Sequence, residues 1–339
     1  MQVSCLFLVD SRSCRHMHIK GDWKYIVEAL NLTQLWSSNA VCHLCRAHRH
    51  IRWLWWTRYQ RQCGLRNTRR TNEQFKARGM EQHIYSPFLH LRGFTIWRVW
   101  TDAMHNLDLG VYQWIVPSAM WEVTTDRTIF HTPTRAMRLL LLYLDYKAWC
   151  KRHNIQAPLK KFQLKSFKKR NHARQWTQHT AKGAQMKHLL FWLRDLCAEH
   201  VATEHDLVRS ALFNSIVMFE ETCAGEGRFM RPEAAERVAV ATEAWLKCLN
   251  WLNTDADGNG LWHMTPKCHM TTHLSFDFAV KTNPRRCTCY SDEDMVGKMK
   301  RILEHCHGAT CHSRGQLRYL IWVSIRWWIL LHKLRGIPL

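Results

Sequence analysis

No uninterrupted apolar stretch in the 339 residues approaches the roughly 18 that a membrane-spanning helix requires. The nearest, Ile321 to Leu331, is short and broken by Arg326. Cys5 to Val9 is a brief apolar run with no basic leader before it, so no secretory signal is expected. The GxSxG, P-loop and GxGxxG patterns are missing, as are internal repeats and low-complexity tracts. Acidic residues are scarce beside basic ones: 27 Asp and Glu face 49 Lys and Arg, a formal net charge of +22. Such an excess favours a polyanionic partner, nucleic acid before an acidic membrane surface. With 46% hydrophobic and 22% charged residues, global disorder is excluded. At roughly 150 residues per domain, the length suits about two domains, or one core with a large insertion. Fourteen cysteines in a long basic chain point to reduced thiols and metal binding rather than a disulfide framework, hence to a nuclear or otherwise intracellular setting.

Patterning divides the chain. Val3 to Val9 and His16 to Lys20 read as strands, followed by a turn at Gly21-Asp22 and a helix from Trp23 to Leu32 with apolar residues at helical spacing. Residues 37–79 look irregular. Phe94 to Trp100 is β-branched and aromatic, as a buried strand is, and ends at Thr101-Asp102. Beyond Gly110 the spacing becomes helical: Thr134 to His153, Lys187 to His200, Asp206 to Cys223 and Ala234 to Leu252, the last after Pro232. Leu261 to Val280, Ser291 to His305 and an amphipathic, Trp-rich Leu317 to Leu334 follow; the last suits a core or dimer face better than a membrane.

Asp102 stands where a strand ends, the usual perch of a metal-binding carboxylate, within Asp102-Ala103-Met104-His105-Asn106-Leu107-Asp108-Leu109-Gly110. This Asp-x-x-His with Leu-x-Leu-Gly resembles the second catalytic segment of CACTA-type (En/Spm-like) DDE transposases. Three further islands stand in that family's order: Lys20 to Tyr25 followed by Cys42-His43-Leu44-Cys45, Pro266 to Leu274, and Tyr290 to Gly297. The resemblance implies an α/β fold with an RNase H-like core and a large helical insertion. On it, residues 1–110 form the first part of the core with a CxxC knuckle, 111–262 the insertion, and 263–339 the end of the core with a C-terminal helix. It further implies strand cleavage or transfer on DNA with Mg²⁺ or Mn²⁺ held by three carboxylates. Asp102 would bridge the metals and Glu293 would supply the third acid. His105 would orient a ligand or touch the scissile phosphate. Asp22 is the best match for the first acid and Asp10 is its rival. Asp22 has the competing reading of a helix N-cap, and Glu293 that of an acidic first turn. The segment Pro266 to Leu274 is expected as the strand before the last acid.

Cys42 and Cys45 have the spacing of half a zinc site, and His48, His50 and Cys63 are the nearest candidates for the other half. Cys287, Cys289, Cys306, His307, Cys311 and His312 read as scattered thiols and imidazoles. Asp255 to Gly260 copies the start of a calcium loop, but position twelve is Pro266 rather than Glu, so a turn is expected. The basic run Lys160, Lys161, Lys165, Lys168, Lys169, Arg170, Arg174, Lys182 and Lys187 is interleaved with Phe162, Phe167 and Trp176, as on a surface that tracks a DNA backbone. Three readings remain open. One is a transposase-like enzyme on DNA, whole or degenerate. Another is a non-catalytic nucleic-acid binder stapled by zinc, and the third a peripheral membrane protein. Homo-oligomerisation is left open.

Overall fold

The computed structural model describes residues 19–34, 37–81, 86–90, 94–126, 128–156, 159–168, 178–179, 181–256, 259–286 and 288–290, with scattered helical positions up to 325. Two compact units are distinguished, Leu6–Thr288 and Met1–Cys5 with Cys289–Leu339. The expected strand Val3 to Val9, Asp10, Glu293, Cys287 and the Cys/His residues from 306 to 312 lie outside the described residues.

In Leu6–Thr288 two short strands, β1 (Ile19–Gly21) and β2 (Val99–Thr101), pair in parallel with Gly21 opposite Thr101. Helix α1 (Trp23–Ala29) follows β1 directly and buries Trp23, Ile26 and Val27, the face its spacing predicts. The expected strand from Phe94 is shorter than its composition suggests. Thr95 Oγ1 accepts the Trp97 amide and turns Ile96–Arg98 into a 3₁₀ turn, leaving only three residues to pair. The stretch 37–79 is irregular up to Thr71, as expected, but ends in an unforeseen helix, α2 (Asn72–Glu81). Asn72 starts it, and its Oδ1 accepts the Ile96 amide.

The remainder is helical: a π-helical segment Met104–Val111, then α3 (Tyr112–Val123), α4 (Arg135–Arg152), α5 (Gly183–Glu199), α6 (Glu204–Ala224), α7 (Pro232–Asp255) and α8 (Pro266–His273). A second strand pair, β3 (Phe167–Lys168) with β4 (Gln178–His179), is antiparallel. The described residues are thus mostly helical with few strands, and an α/β class holds only in that coarse sense.

Local chemistry fixes the helix ends. Thr203 Oγ1 accepts the Asp206 amide while Asp206 returns a carboxylate to the Thr203 amide, a capping box worth about 1 kcal/mol. Pro232 and Pro266 sit in first turns, where a missing N–H costs nothing. Pro266 therefore opens α8, and Pro266 to Leu274 is a helix rather than the expected strand. Helices α5, α6 and α7 bury Trp192, Phe213, Phe219 and Trp245, each worth roughly 1.5–3 kcal/mol.

A buried ionic clamp ties this bundle to the segment after β2. Arg285 donates to both oxygens of Asp108 at 2.9 and 2.8 Å and also grips Glu220, which accepts from Tyr112 at 2.8 Å. No described helix is long and apolar enough to cross a membrane.

In the second unit the described positions between 294 and 304 and between 317 and 325 are helical, within the two helices expected there. Lys298 pairs with Asp294 and stands 5.6 Å from the Trp322 ring.

Candidate metal centre

The CxxC segment forms a knuckle. The Val41 amide bonds the Ala47 carbonyl at 3.1 Å, and Ala40 bridges His48, so the chain reverses across Cys42 to Cys45. The Leu44 amide points at Cys42 Sγ, 3.3 Å away. Both sulfurs face inward and are buried. Opposite them, α8 presents His269 and His273, four residues apart and therefore on one helical face. Cys45 Sγ lies 3.2 Å from His269 Nε2 and Cys42 Sγ 3.4 Å from His273 Nε2. All four ligand atoms fall within 4.8 Å of one another. A tetrahedral zinc ion with bonds of about 2.3 Å to sulfur and 2.0 Å to nitrogen requires S···N separations of about 3.5 Å. The donor set therefore fits zinc in type, number and spacing.

The electrostatics agree. Burial by itself would raise the Cys42 thiol. The hydrogen bond with Cys45 and the charges of His273 and His269 overcome it and hold Cys42 well below its ordinary value. Burial and the neighbouring Cys42 push Cys45 well above its own. Two buried sulfurs cannot both ionise unaided, and a divalent cation removes that conflict.

A supporting shell surrounds the ligands. His273 Nδ1 donates to Asp277 at 2.6 Å, which leaves Nε2 as the ligand atom. Arg66 and Arg69 each donate to the same carboxylate at 2.6 Å. Burial would raise Asp277, but His273 and the two guanidinium groups bring it down to about 2. Asp277 is therefore ionised and fixes the His273 tautomer.

The structure completes the CxxC half-site with His269 and His273, not with His48 and Cys63. The His48 ring accepts the His50 amide at 3.1 Å, and the Cys63 thiol turns to the Arg58 carbonyl at 3.6 Å. A H-x-x-x-H spacing was visible in the sequence. Read as a strand, its imidazoles would stand about 13 Å apart; on a helix they stand about 6 Å apart along the axis.

The first turn of α8 also reaches the carboxylates expected at the strand ends. Asp22 and Asp102 follow paired residues of β1 and β2, and the Asp102 amide bonds the Gly21 carbonyl at 3.0 Å, so the two acids stand side by side. Asp22 is at the N-cap of α1, but its side chain makes no capping bond and is half-buried. Capping falls instead to Asp102, which is fully buried and accepts the amides of Met104 at 3.1 Å and His105 at 2.8 Å. Asp102 also holds His105 Nδ1. Lys267 faces both acids. Burial lowers its ammonium, while the charges of Asp22 and Asp102 pull it upward. Its Nζ donates to the His105 carbonyl at 2.6 Å.

The basic run after Lys160 is described only in part. Lys160, Lys161 and Lys165 are exposed, but Phe162 and Phe167 are buried, Phe162 stacking against Tyr143, Tyr146 and Trp192. Those two rings anchor the segment and offer no face to a base. Lys168 lies in β3; Lys169, Arg170 and Arg174 lie outside the described residues. At the calcium-like turn, Asp255 ends α7 and bonds His205.

Comparison with protein-family models, with curated proteins and with solved structures gives no match.

Proposed function

We propose that this chain is a DNA-acting protein of the DDE transposase kind, built on an RNase H-like core, in which a zinc ion staples the CxxC knuckle to helix α8. One observation carries the reading: Asp22 and Asp102 stand side by side at the carboxyl ends of two adjacent parallel strands, with Lys267 against both. Zinc on Cys42, Cys45, His269 and His273 would be structural, since four protein ligands leave no open position.

Asp22 and Asp102 offer the hard oxygen donors that Mg²⁺ or Mn²⁺ prefers. A divalent ion bound there would activate a water or a 3′-hydroxyl for in-line attack at phosphorus. The chain's own residues do the positioning. Asp102 orients the His105 ring and amide, Lys267 locks the His105 carbonyl, and the excess of positive charge draws in the DNA backbone. Glu293 is proposed as the third acid on the sequence resemblance.

A second reading, a DNA-binding protein without catalysis, is favoured by the capping bonds that engage both Asp102 oxygens. Cleavage and strand transfer on labelled DNA with Mg²⁺ or Mn²⁺, for the parent chain and for Asp22→Asn and Asp102→Asn, separates the two. Metal-dependent activity lost in both variants supports the enzyme. Salt-sensitive binding without cleavage in all three supports the binder.

A further inference from the structure

Between Glu28 and Glu73 the chain has no acidic residue, while Arg46 to Arg70 holds eight arginines. Three of the eight meet carboxylates within the protein: Arg61 binds Glu236 and Glu243, and Arg66 and Arg69 bind Asp277. Arg46, Arg52 and Arg58 are exposed, and none of them pairs with a carboxylate among the described residues. The same loop displays two large aromatic side chains. Along Trp53-Leu54-Trp55-Trp56 the side chains alternate: Leu54 and Trp56 are buried at 3% and 8% exposure, while Trp53 and Trp55 stand out at 59% and 49%.

The backbone beneath the two indoles is held firmly. The His48 amide bonds the Leu54 carbonyl at 2.8 Å, the Trp56 amide bonds the His48 carbonyl at 3.2 Å, and the Arg49 amide bonds the Asn39 carbonyl at 2.8 Å. Leu54, Trp56 and Tyr59 root the loop in the core that also contains the zinc knuckle. Two neighbouring indoles kept in water on a rigid, acid-free, arginine-rich loop are costly for a monomer unless something covers them. The phosphate backbone supplies the charge complement to the arginines, and an unpaired base supplies a flat partner for an indole. Duplex DNA keeps its bases stacked and has no free base face to offer.

We propose that the loop Arg46 to Arg58 is a binding surface for single-stranded DNA, with bases stacked on Trp53 and Trp55 and phosphates held by Arg46, Arg52 and Arg58. The proposal rests on the DNA partner assigned above and deepens it. It is distinct from the lysine run after Lys160, whose two described phenylalanines are buried.

The test is fluorescence anisotropy of a dye-labelled oligothymidylate, and of a duplex of equal length, against the full chain across a salt series. The variants are Trp53→Ala with Trp55→Ala, Trp53→Phe with Trp55→Phe, and Arg52→Ala with Arg58→Ala. Zinc content and melting temperature equal to the parent's establish that each variant is folded. Stacking gives roughly 1–3 kcal/mol per base, so the alanine pair is expected to weaken oligothymidylate binding by at least about 10-fold with its salt slope unchanged. The phenylalanine pair should retain most of the affinity. The arginine pair should reduce the slope of log K against log salt by about 1.4, at about 0.7 per phosphate contact. Unchanged oligothymidylate binding by the alanine pair overturns the surface, as does an equal loss on duplex. A parent chain that binds neither probe overturns the DNA partner as well, and strand cleavage that fails while the tryptophan effect stands overturns only the catalytic reading.

Discussion

Cys45 Sγ lies 3.2 Å from His269 Nε2 although 224 positions separate the two residues. With the matching pair Cys42 and His273, this contact closes the knuckle onto α8, and α8 in turn carries Lys267 to the strand-end acids. The candidate metal centre and the carboxylates are thus joined by one turn of helix.

Zinc measured by elemental analysis of the purified chain is expected at one ion per molecule, falling to a trace in Cys45→Ser and in His269→Ala. Because ligand assembly and folding are the same event at such a site, chelation should also lower the melting temperature of the parent and leave that of the variants unmoved. Full zinc content in both variants would place the ion elsewhere.

Asp277→Asn removes the carboxylate that fixes the His273 tautomer and leaves Arg66 and Arg69 without their acid. Zinc affinity, followed by competition with a chromophoric chelator, should fall by about 10- to 100-fold while stoichiometry at saturating metal stays the same. An affinity equal to the parent's would mean that Asp277 serves only the two arginines.

Arg285→Met removes the guanidinium that both Asp108 and Glu220 bind, leaving Lys187, 3.8 Å from Glu220, as the nearby cation. Burial already raises Asp108 even with the guanidinium in place, so the loss should cost about 3–5 kcal/mol in urea unfolding. A change under about 1 kcal/mol would show that the clamp admits water.

His205 lies between Glu122 and Asp255, and hydrogen bonding to Glu122 leads the interactions that raise it to about 9, against burial. Its folded value exceeds the ordinary 6.5, so the stability it adds is fully present below about pH 6.5 and disappears as pH rises through about 9. The side chain is a quarter exposed, which limits the effect to about 1 kcal/mol. Melting temperatures of the parent and of His205→Gln should therefore converge between pH 6.5 and 9.5; a constant gap would contradict the assignment.

Gly110→Ala distinguishes packing from propensity. Alanine normally stabilises a helix interior, but here a Cβ would fall 2.7 Å from Lys267 Cδ and 2.8 Å from the His105 carbonyl oxygen. The lysine can shift; the backbone oxygen cannot without opening the π-helical turn. A destabilisation of about 1–3 kcal/mol is expected in chemical unfolding, and a gain would show that the turn relaxes freely.

The sequence by itself determined the elements that periodicity can mark: helices α1 and α4 to α7, the termination of β2 at Asp102, and the cysteine half of the candidate metal centre. Local spacing carries these because each depends on residues within one or two turns. What it did not settle was everything decided by distant partners. Whether Pro266 to Leu274 formed a strand or a helix turned on the knuckle against which it packs, and that choice alone selected His269 and His273 over His48 and Cys63. Helix capping passed from Asp22 to Asp102 for the same reason. Both sit at strand ends in the sequence, but only the three-dimensional arrangement shows that Asp102 caps the next helix while Asp22 does not. Trp53 and Trp55, like Phe162 and Phe167, stand among basic residues in the sequence, and only burial in the tertiary structure sends the second pair into the core and leaves the first facing water.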